Sequence, residues 1–421
     1  MEAKRKESEK MNYIVKKADK INGEVKISGS KNAALPIIVS TLLFKEKVTL
    51  YNVPYISDVI NMIEILKDIG CIINYENETL NIDSTKIKKK INSKYISKLR
   101  ASYYLMGALS TRMKCFDIDY PGGCKFTLRP IDIHISSFRK LGIIIEESEK
   151  IKFSNINIKD TIITLPKISV GVTINIILAT TISNAKVIIN NASIEPEVID
   201  LIQFLNKAGA NIKHKKRKIE INGVEKLNPI SYTVMPDRIE AASFLLLASC
   251  IPNSSLLIKN VRYDDLKEVV VTLEEMKNKI TLINDSIKID SPNKIKGIEK
   301  TIAEYPSFPT DLQPILCTTL LSASSPSIIT DSIYPDRISH IEELNKLGGN
   351  IYFNNGKIYI YPSKLNSGKV YAKDLRCGFA MIIAGILSSE YVEIEDFNYI
   401  LRGYSSILDK LKSINIRIIA Q

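Results

Sequence analysis

The chain alternates between two kinds of apolar run. One kind is apolar on every side. It occurs as SGSKNAALPIIVSTLL from Ser28, LRASYYLMGALST from Leu99, SVGVTINIILATTI from Ser169, MPDRIEAASFLLLASC from Met235, PSFPTDLQPILCTTLL from Pro306 and KDLRCGFAMIIAGIL from Lys373. Each starts in a polar, turn-like cluster and continues as a helix of about ten residues, repeating at a spacing of about 70. Helices without a polar face have to be buried. The other kind is apolar on one face. In PEVIDLIQFLNKAG, Val198, Leu201, Ile202 and Leu205 fall at i, i+3, i+4 and i+7, the period of a half-buried helix. SDVINMIEILKDIG and RISHIEELNKLGG read the same way. Gly70, Gly142, Gly209 and Gly348 close such helices, as residues of positive φ at the C′ position. Short β-branched runs follow. NIKHKKRKIEI and NIYFNNGKIYIYP predict hairpins, the latter through its Asn355-Gly356 turn.

The pattern predicts six α–α–β–β units. Six are too many for one core, and 421 residues fit about two or three domains, so the units group three and three. Each buried helix opens with a polar or cationic group. Helix N-termini brought together would form an anion site through their free N–H groups and dipoles; six helices buried for packing alone would show the same pattern.

Composition narrows the function. At 45% hydrophobic and 25% charged residues the chain has enough apolar surface to fold. Six Cys without a CxxC pair argue against a disulfide scaffold, and three His (His134, His214, His340) against a zinc module. No apolar run reaches the length of a membrane span. The start, MEAKRKESEKM, has no apolar signal core, so a cytoplasmic protein with reduced thiols is expected. The net charge of +12 reflects Lys in excess and comes without any nucleic-acid motif. The basic cluster at His214–Lys218 reads as a hairpin tip. Arginine is scarce, yet Arg100, Arg129, Arg238, Arg337, Arg376 and Arg402 stand at the starts of apolar segments. Planar forks placed in this way fit carboxylate or phosphate recognition.

The richest chemistry lies in PGGCKFTLRPIDIH. Two glycines after Pro121 free the backbone, and Lys125 and Arg129 favour the thiolate of Cys124. The other cysteines, Cys71, Cys115, Cys250, Cys317 and Cys377, lie in or beside apolar segments and read as inert.

These segments together resemble the UDP-N-acetylglucosamine 1-carboxyvinyltransferase family of enolpyruvyl transferases. The resemblance runs from about Tyr13 to the C-terminus through ISGSKNAALPI, PGGC-x4-RPIDIH, the SVG of LPKISVGVTINI, EPEVIDLIQFLN, PDRIEAASF, YPSFPTDLQ, DLRCGFAMIIAG and RGYSSILDKL. It implies an α/β fold of two inside-out barrels with three repeats each. Domain one would span 31–235 and carry the Cys124 loop. Domain two would be discontinuous, 1–30 with 236–421, residues 1–10 being a disordered tail.

The implied reaction moves the enolpyruvyl group of phosphoenolpyruvate to the 3′-hydroxyl of UDP-N-acetylglucosamine, without cofactor or metal. By resemblance, Lys31, Arg129, Arg337 and Arg402 hold phosphoenolpyruvate, and Cys124 is the general acid. Asp311 handles the sugar hydroxyl as base or by orienting it, with a helix cap as its structural alternative. Lys31, Asn32, Arg100, Arg129, Pro130, Ile131, Asp132, Ile133, Lys167, Ile168, Ser169, Val170, Asp311 and Ile333 match nucleotide-sugar contacts. Asp374, Arg376 and Asp237 match cleft positions, the first two with a simple ion pair as alternative. His134 reads as a satisfied structural histidine. Three departures stand out: Thr127 for the usual glycine, Ile174 for a glutamate, and YPD for FEN before Arg337. The rival readings are the sister shikimate-3-phosphate enzyme, which lacks the PGGC loop, a catalytically silent sugar-nucleotide binder, and a nucleic-acid binder. Oligomeric state is not legible.

Overall fold

The computed structural model of the chain describes residues 11–88, 90–122 and 131–421. The expected tail and the loop residues Cys124, Lys125, Thr127, Arg129 and Pro130 lie outside them. The chain divides into two compact units: residues 29–235, and the segment up to Ser28 together with Pro236–Gln421.

In unit 29–235 the inner helices are α1 (Lys31–Ser40), α3 (Tyr104–Leu109) and α5 (Val170–Thr181), and the outer ones α2 (Ser57–Asp68), α4 (Asp132–Lys140) and α6 (Pro196–Lys207). In the other unit the inner helices are α7 (Arg238–Ser249), α9 (Gln313–Leu320) and α11 (Leu375–Leu387), and the outer ones α8 (Lys267–Glu275), α10 (Ser339–Lys346) and α12 (Ile407–Ser413). The all-apolar runs are the inner helices. Every residue from Gly171 to Thr181 of α5 and from Arg376 to Ile386 of α11 is buried. α3 is short because a 3-10 turn, Arg100–Tyr103, supplies its first residues. Each unit has its own core, and sheets cover its inner helices.

The repeat is written in the sheets. Five of the six have one connectivity, a parallel pair followed by two antiparallel pairings. The sixth (Phe116–Ile118, Ile144–Glu147, Ile151–Ser154) has the two antiparallel pairings alone among the described residues. The start of the chain completes two sheets of the second unit. Tyr13–Lys16 pairs with Tyr391–Glu395 and Ile418–Ala420, and Asn22–Lys26 lies parallel to Ser255–Lys259. Main-chain pairing thus ties the N-terminal segment to the C-terminal half. Four of the hairpins among the described residues turn through positive-φ residues: Asn355 and Gly356, Asn77 and Glu78, Asn284, and Lys216 at the basic tip.

All six outer helices end in one motif. The N–H two positions past the cap donates back to the carbonyl five residues earlier: Cys71 to Leu66, Ile143 to Phe138, Ala210 to Leu205, Asn278 to Leu273, Gly349 to Leu344 and Ile416 to Leu411, all at 2.9–3.2 Å. The intervening residue has φ between +66° and +111°. Four are the glycines read from sequence. The other two, Lys277 and Asn415, carry side chains and so escape a search for glycine. At Gly142 an added Cβ would also meet the Asn157 carbonyl at 2.9 Å.

Gly142→Ala should therefore lower unfolding free energy by roughly 1–2 kcal/mol, whereas Lys277→Gly should be neutral or raise it by up to about 1 kcal/mol. Urea denaturation of both variants checks the pair; equal losses would refute the shared left-handed cap.

Candidate active site

The first turns of the inner helices collect the predicted cations. Lys31 is the first residue of α1, Arg238 of α7, and Arg376 the second of α11; Arg100 opens the 3-10 turn before α3. Helix dipoles favour anions at these places, by about 0.3–1 kcal/mol each, so every cation there opposes the local field. Buried carboxylates offset it. Lys31 Nζ sits 3.2 Å from Asp58 Oδ2, both side chains mostly buried.

The densest cluster is in the second unit. Asp311 lies in a 3-10 turn, Thr310–Leu312, that leads into α9. Its Oδ1 accepts from Arg337 Nη1 at 2.9 Å and its Oδ2 from Arg376 Nη2 at 2.9 Å. Arg337 Nη1 also donates to the Thr310 carbonyl at 2.7 Å, and Gln313 Nε2 to the Arg337 carbonyl at 3.1 Å. The guanidinium of Arg337 lies over the Tyr334 ring. Burial alone would raise the Asp311 carboxyl, but the charges and hydrogen bonds of Arg376 and Arg337 outweigh it and hold the group well below the usual carboxylate range. Its side chain keeps 30% exposure against 3% for Arg337, so a ligand can reach the carboxylate more readily than the arginine behind it. Asp311 is not a helix cap; its oxygens go to guanidiniums.

Asp374 and Arg376 do not form the simple pair considered from sequence. Asp374 caps α11, its Oδ1 accepting from the Arg376 and Cys377 N–H groups at 2.8 and 3.1 Å and its Oδ2 from Ser339 Oγ at 3.0 Å. The Arg376 side chain turns to Asp311 and Tyr404. Asp237 likewise caps α7 through the N–H groups of Ile239 and Glu240. Ile333 is half-buried beside Asp331, whose Oδ1 accepts its N–H at 2.9 Å. Arg402 ends the 3-10 segment Phe397–Arg402, half-buried.

In unit 29–235, Asn32 follows Lys31 in α1 and is half-buried. Ile131, Asp132 and Ile133 span the start of α4, with Asp132 exposed. Lys167 and Ile168 lead to Ser169, which caps α5 by accepting the Val172 N–H, and Val170 is its first residue. Arg100 lies over the Tyr103 ring. His134 is buried, and its Nδ1 accepts from Asn175 Nδ2 at 2.9 Å. The Asn175 amide is fixed by two more bonds, to the Tyr103 carbonyl and from the Gly107 N–H, so the His134 proton sits on Nε2. Burial first, then Arg100, pushes His134 down to about 3: a neutral structural group. Ile174, where the family usually has glutamate, is fully buried in α5.

One cysteine departs from expectation. Cys71, Cys250, Cys317 and Cys377 are buried, and burial raises their thiols. Cys115 is exposed, because it precedes the short strand Phe116–Ile118 rather than packing in it. Sequence reading also missed Asp58, Thr310 and Tyr404. Tyr404 lies inside the RGYSSILDKL segment, but nothing in its spacing says that its hydroxyl turns inward.

The family described as EPSP synthase (3-phosphoshikimate 1-carboxyvinyltransferase) matches residues 15–411. The chain belongs to this family of enolpyruvyl transferases. Within the family it is 38% identical over 398 residues to UDP-N-acetylglucosamine 1-carboxyvinyltransferase 2 of Staphylococcus aureus (strain MRSA252), covering 94% of this chain and 95% of that protein. The protein of the same name from Staphylococcus epidermidis matches at the same identity and coverage. Among solved structures, the enolpyruvyl transferase NikO from Streptomyces tendae superposes with a TM-score of 0.89 over 98% of this chain and 99% of that one, at 17% identity. An EPSP synthase from Acinetobacter baumannii reaches 0.75 over 98% and 100%, at 16% identity. These likenesses establish the two-domain inside-out α/β barrel fold. No helix among the described residues is long and apolar enough to cross a membrane.

His134 and His340 give a pH test. Burial also pushes His340 down to about 3, with Asp374 opposing and Arg337 reinforcing it. An unfolded His takes a proton near pH 6.5, while these two stay neutral until about pH 3. Stability is thus full above pH 6.5 and falls as pH drops below it, by at most about 1.4 kcal/mol per pH unit for each histidine. His134→Gln should flatten the slope of unfolding free energy between pH 6.5 and 5; an unchanged slope would mean that His134 protonates in the folded protein.

Proposed function

We propose that this protein transfers the enolpyruvyl group of phosphoenolpyruvate to the 3′-hydroxyl of UDP-N-acetylglucosamine and releases phosphate, the first committed step of peptidoglycan synthesis, in the cytoplasm. The observation that carries this reading over the shikimate reaction is the 38% identity along 94% of the chain to proteins named for the sugar-nucleotide reaction, since the fold alone serves both.

Phosphoenolpyruvate brings a carboxylate and a phosphate. Lys31, Arg129, Arg337 and Arg402 are the cations we assign to them, supported by the placement of Lys31 at an inner helix N-terminus. Asn32, Arg100, Arg129–Ile133, Lys167–Val170, Asp311 and Ile333 are assigned to the sugar nucleotide; the first N–H groups of α5 lack helical partners of their own and suit its phosphates. In the addition step, the Cys124 thiol gives its proton to the methylene carbon while the sugar oxygen bonds the neighbouring carbon and passes its proton to a phosphate oxygen of phosphoenolpyruvate. In the elimination step the Cys124 thiolate takes a proton back from the methyl carbon, the carbon–phosphate oxygen bond breaks, and inorganic phosphate leaves carrying the proton from the sugar hydroxyl. A carboxylate clamped by two guanidiniums is a weak proton acceptor, so Asp311 acts here by aiming the 3′-hydroxyl as a permanent anion rather than as a strong base.

Phosphate release measured by a coupled assay should require both substrates; release with shikimate 3-phosphate in place of the sugar nucleotide would overturn the reading. Fosfomycin, an epoxide mimic of phosphoenolpyruvate, should alkylate Cys124, and peptide mass spectrometry should find the exposed Cys115 unmodified at the same dose. Arg402→Ala should raise the KM for phosphoenolpyruvate by about ten-fold or more with sugar-nucleotide affinity unchanged by calorimetry; equal loss of both ligands would signal misfolding.

A further inference from the structure

Arg376 is held from behind. Its Nη1 donates to the Tyr404 hydroxyl at 3.2 Å, its Cζ lies 5.6 Å from the Tyr404 ring centroid, and both side chains are buried. The Tyr404 hydroxyl lies 2.8 Å from Ser243 Oγ, which itself donates to the Ile239 carbonyl at 2.6 Å. The chemistry of the donors gives the chain a direction. A guanidinium can only donate, so Tyr404 accepts from it. Ser243 has spent its one proton on Ile239, so it accepts the phenolic proton of Tyr404. The relay runs one way, from Arg376 to Tyr404 to Ser243 to the backbone of α7. It links the first two turns of α7, the start of α11 and, through Asp311, the approach to α9. The ring is fixed independently, stacking on Phe379 at 4.7 Å, which meets Phe244 edge-on at 5.7 Å.

We propose that Tyr404 and Ser243 are positioning residues for the transfer reaction: by terminating the Arg376 guanidinium they fix the plane in which it grips Asp311, and so fix the carboxylate that aims the acceptor hydroxyl. Two features support more than packing. The hydroxyls stand on one fork of Arg376 while Asp311 stands on the other, so the arginine has no free rotation about its last bond. Burial raises the Tyr404 phenol to about 12 against the lowering pull of Arg376, which keeps it neutral and able both to accept and to donate.

The inference rests on the proposed sugar-nucleotide reaction. Tyr404→Phe keeps the ring and removes the acceptor. It should lower kcat by about ten- to a hundred-fold, the scale of a misplacement near 1 Å, with KM for phosphoenolpyruvate and sugar-nucleotide affinity within about two-fold. The charged groups around Asp311 are Arg376 from α11 and Arg337 from the segment before α10, with Asp237 at the start of α7 beyond Arg376. With Arg376 loosened, the acid limb of kcat should move to higher pH. Ser243→Ala should lower kcat in the same direction and Ser243→Thr, which keeps a hydroxyl, should restore it; this pair decides the matter if Tyr404→Phe fails to fold. A wild-type protein without two-substrate turnover sinks the reaction itself. Wild-type turnover with an unchanged kcat and pH profile in Tyr404→Phe, or equal kcat in the two Ser243 variants, overturns the relay alone.

Discussion

Positive charge is held in this protein where the backbone already makes the potential positive. Lys31, Arg238 and Arg376 occupy the first turns of inner helices, against the preference of a helix dipole. Such placement survives only with neighbouring negative charge. Asp58 supplies it to Lys31 in one unit and Asp311 to Arg376 in the other, while Asp237 and Asp374 cap α7 and α11 themselves.

The repeat makes this placement repeatable. An inner helix without a polar face must be wrapped, and each is followed by an outer helix, a reversal through a left-handed residue, and strands that close over it. Most of this was legible in the chain: the inner helices by their unbroken apolarity, the outer ones by their period, and four of six reversals by glycine. The remaining two were hidden because the required φ is a backbone property that Lys277 and Asn415 also adopt. The attachment of Tyr13–Lys16 and Asn22–Lys26 to sheets formed hundreds of residues later is main-chain pairing, which leaves no side-chain signature; the family resemblance, not the pattern, raised it.

The candidate cluster around Asp311 was legible as residues and not as bonds. Motifs singled out Asp311, Arg337, Asp374 and Arg376, with a simple Asp374–Arg376 ion pair as the alternative that adjacency offered. The fold gives Asp374 to the helix end and Arg376 to Asp311, 65 positions away. His134, read as a satisfied structural histidine, lies on the buried face of the outer helix α4, and Asn175 provides its partner. Cys115 was not, because a residue just before a strand can face either way. Tyr404 was invisible as a participant: its role depends on which way Ser243 sends its proton, and that follows from a helix turn, not from composition.

A buried ion cluster is a poor device for stability. Removing charges from water costs several kcal/mol per ion, and well-packed apolar side chains in their place are often neutral or stabilising. Arg337 and Arg376 are 3% and 7% exposed, and Asp311 is the least covered of the three. A cluster built for stability would hide its carboxylate; this one hides its arginines and presents the carboxylate. The desolvated guanidiniums keep Asp311 ionised and immobile, as the aiming role we propose for it requires. The same reasoning explains the hydroxyl relay behind Arg376. A guanidinium buried for its charge alone needs no particular orientation, whereas one buried to hold a carboxylate at a fixed angle must have its other fork terminated, and Tyr404 terminates it.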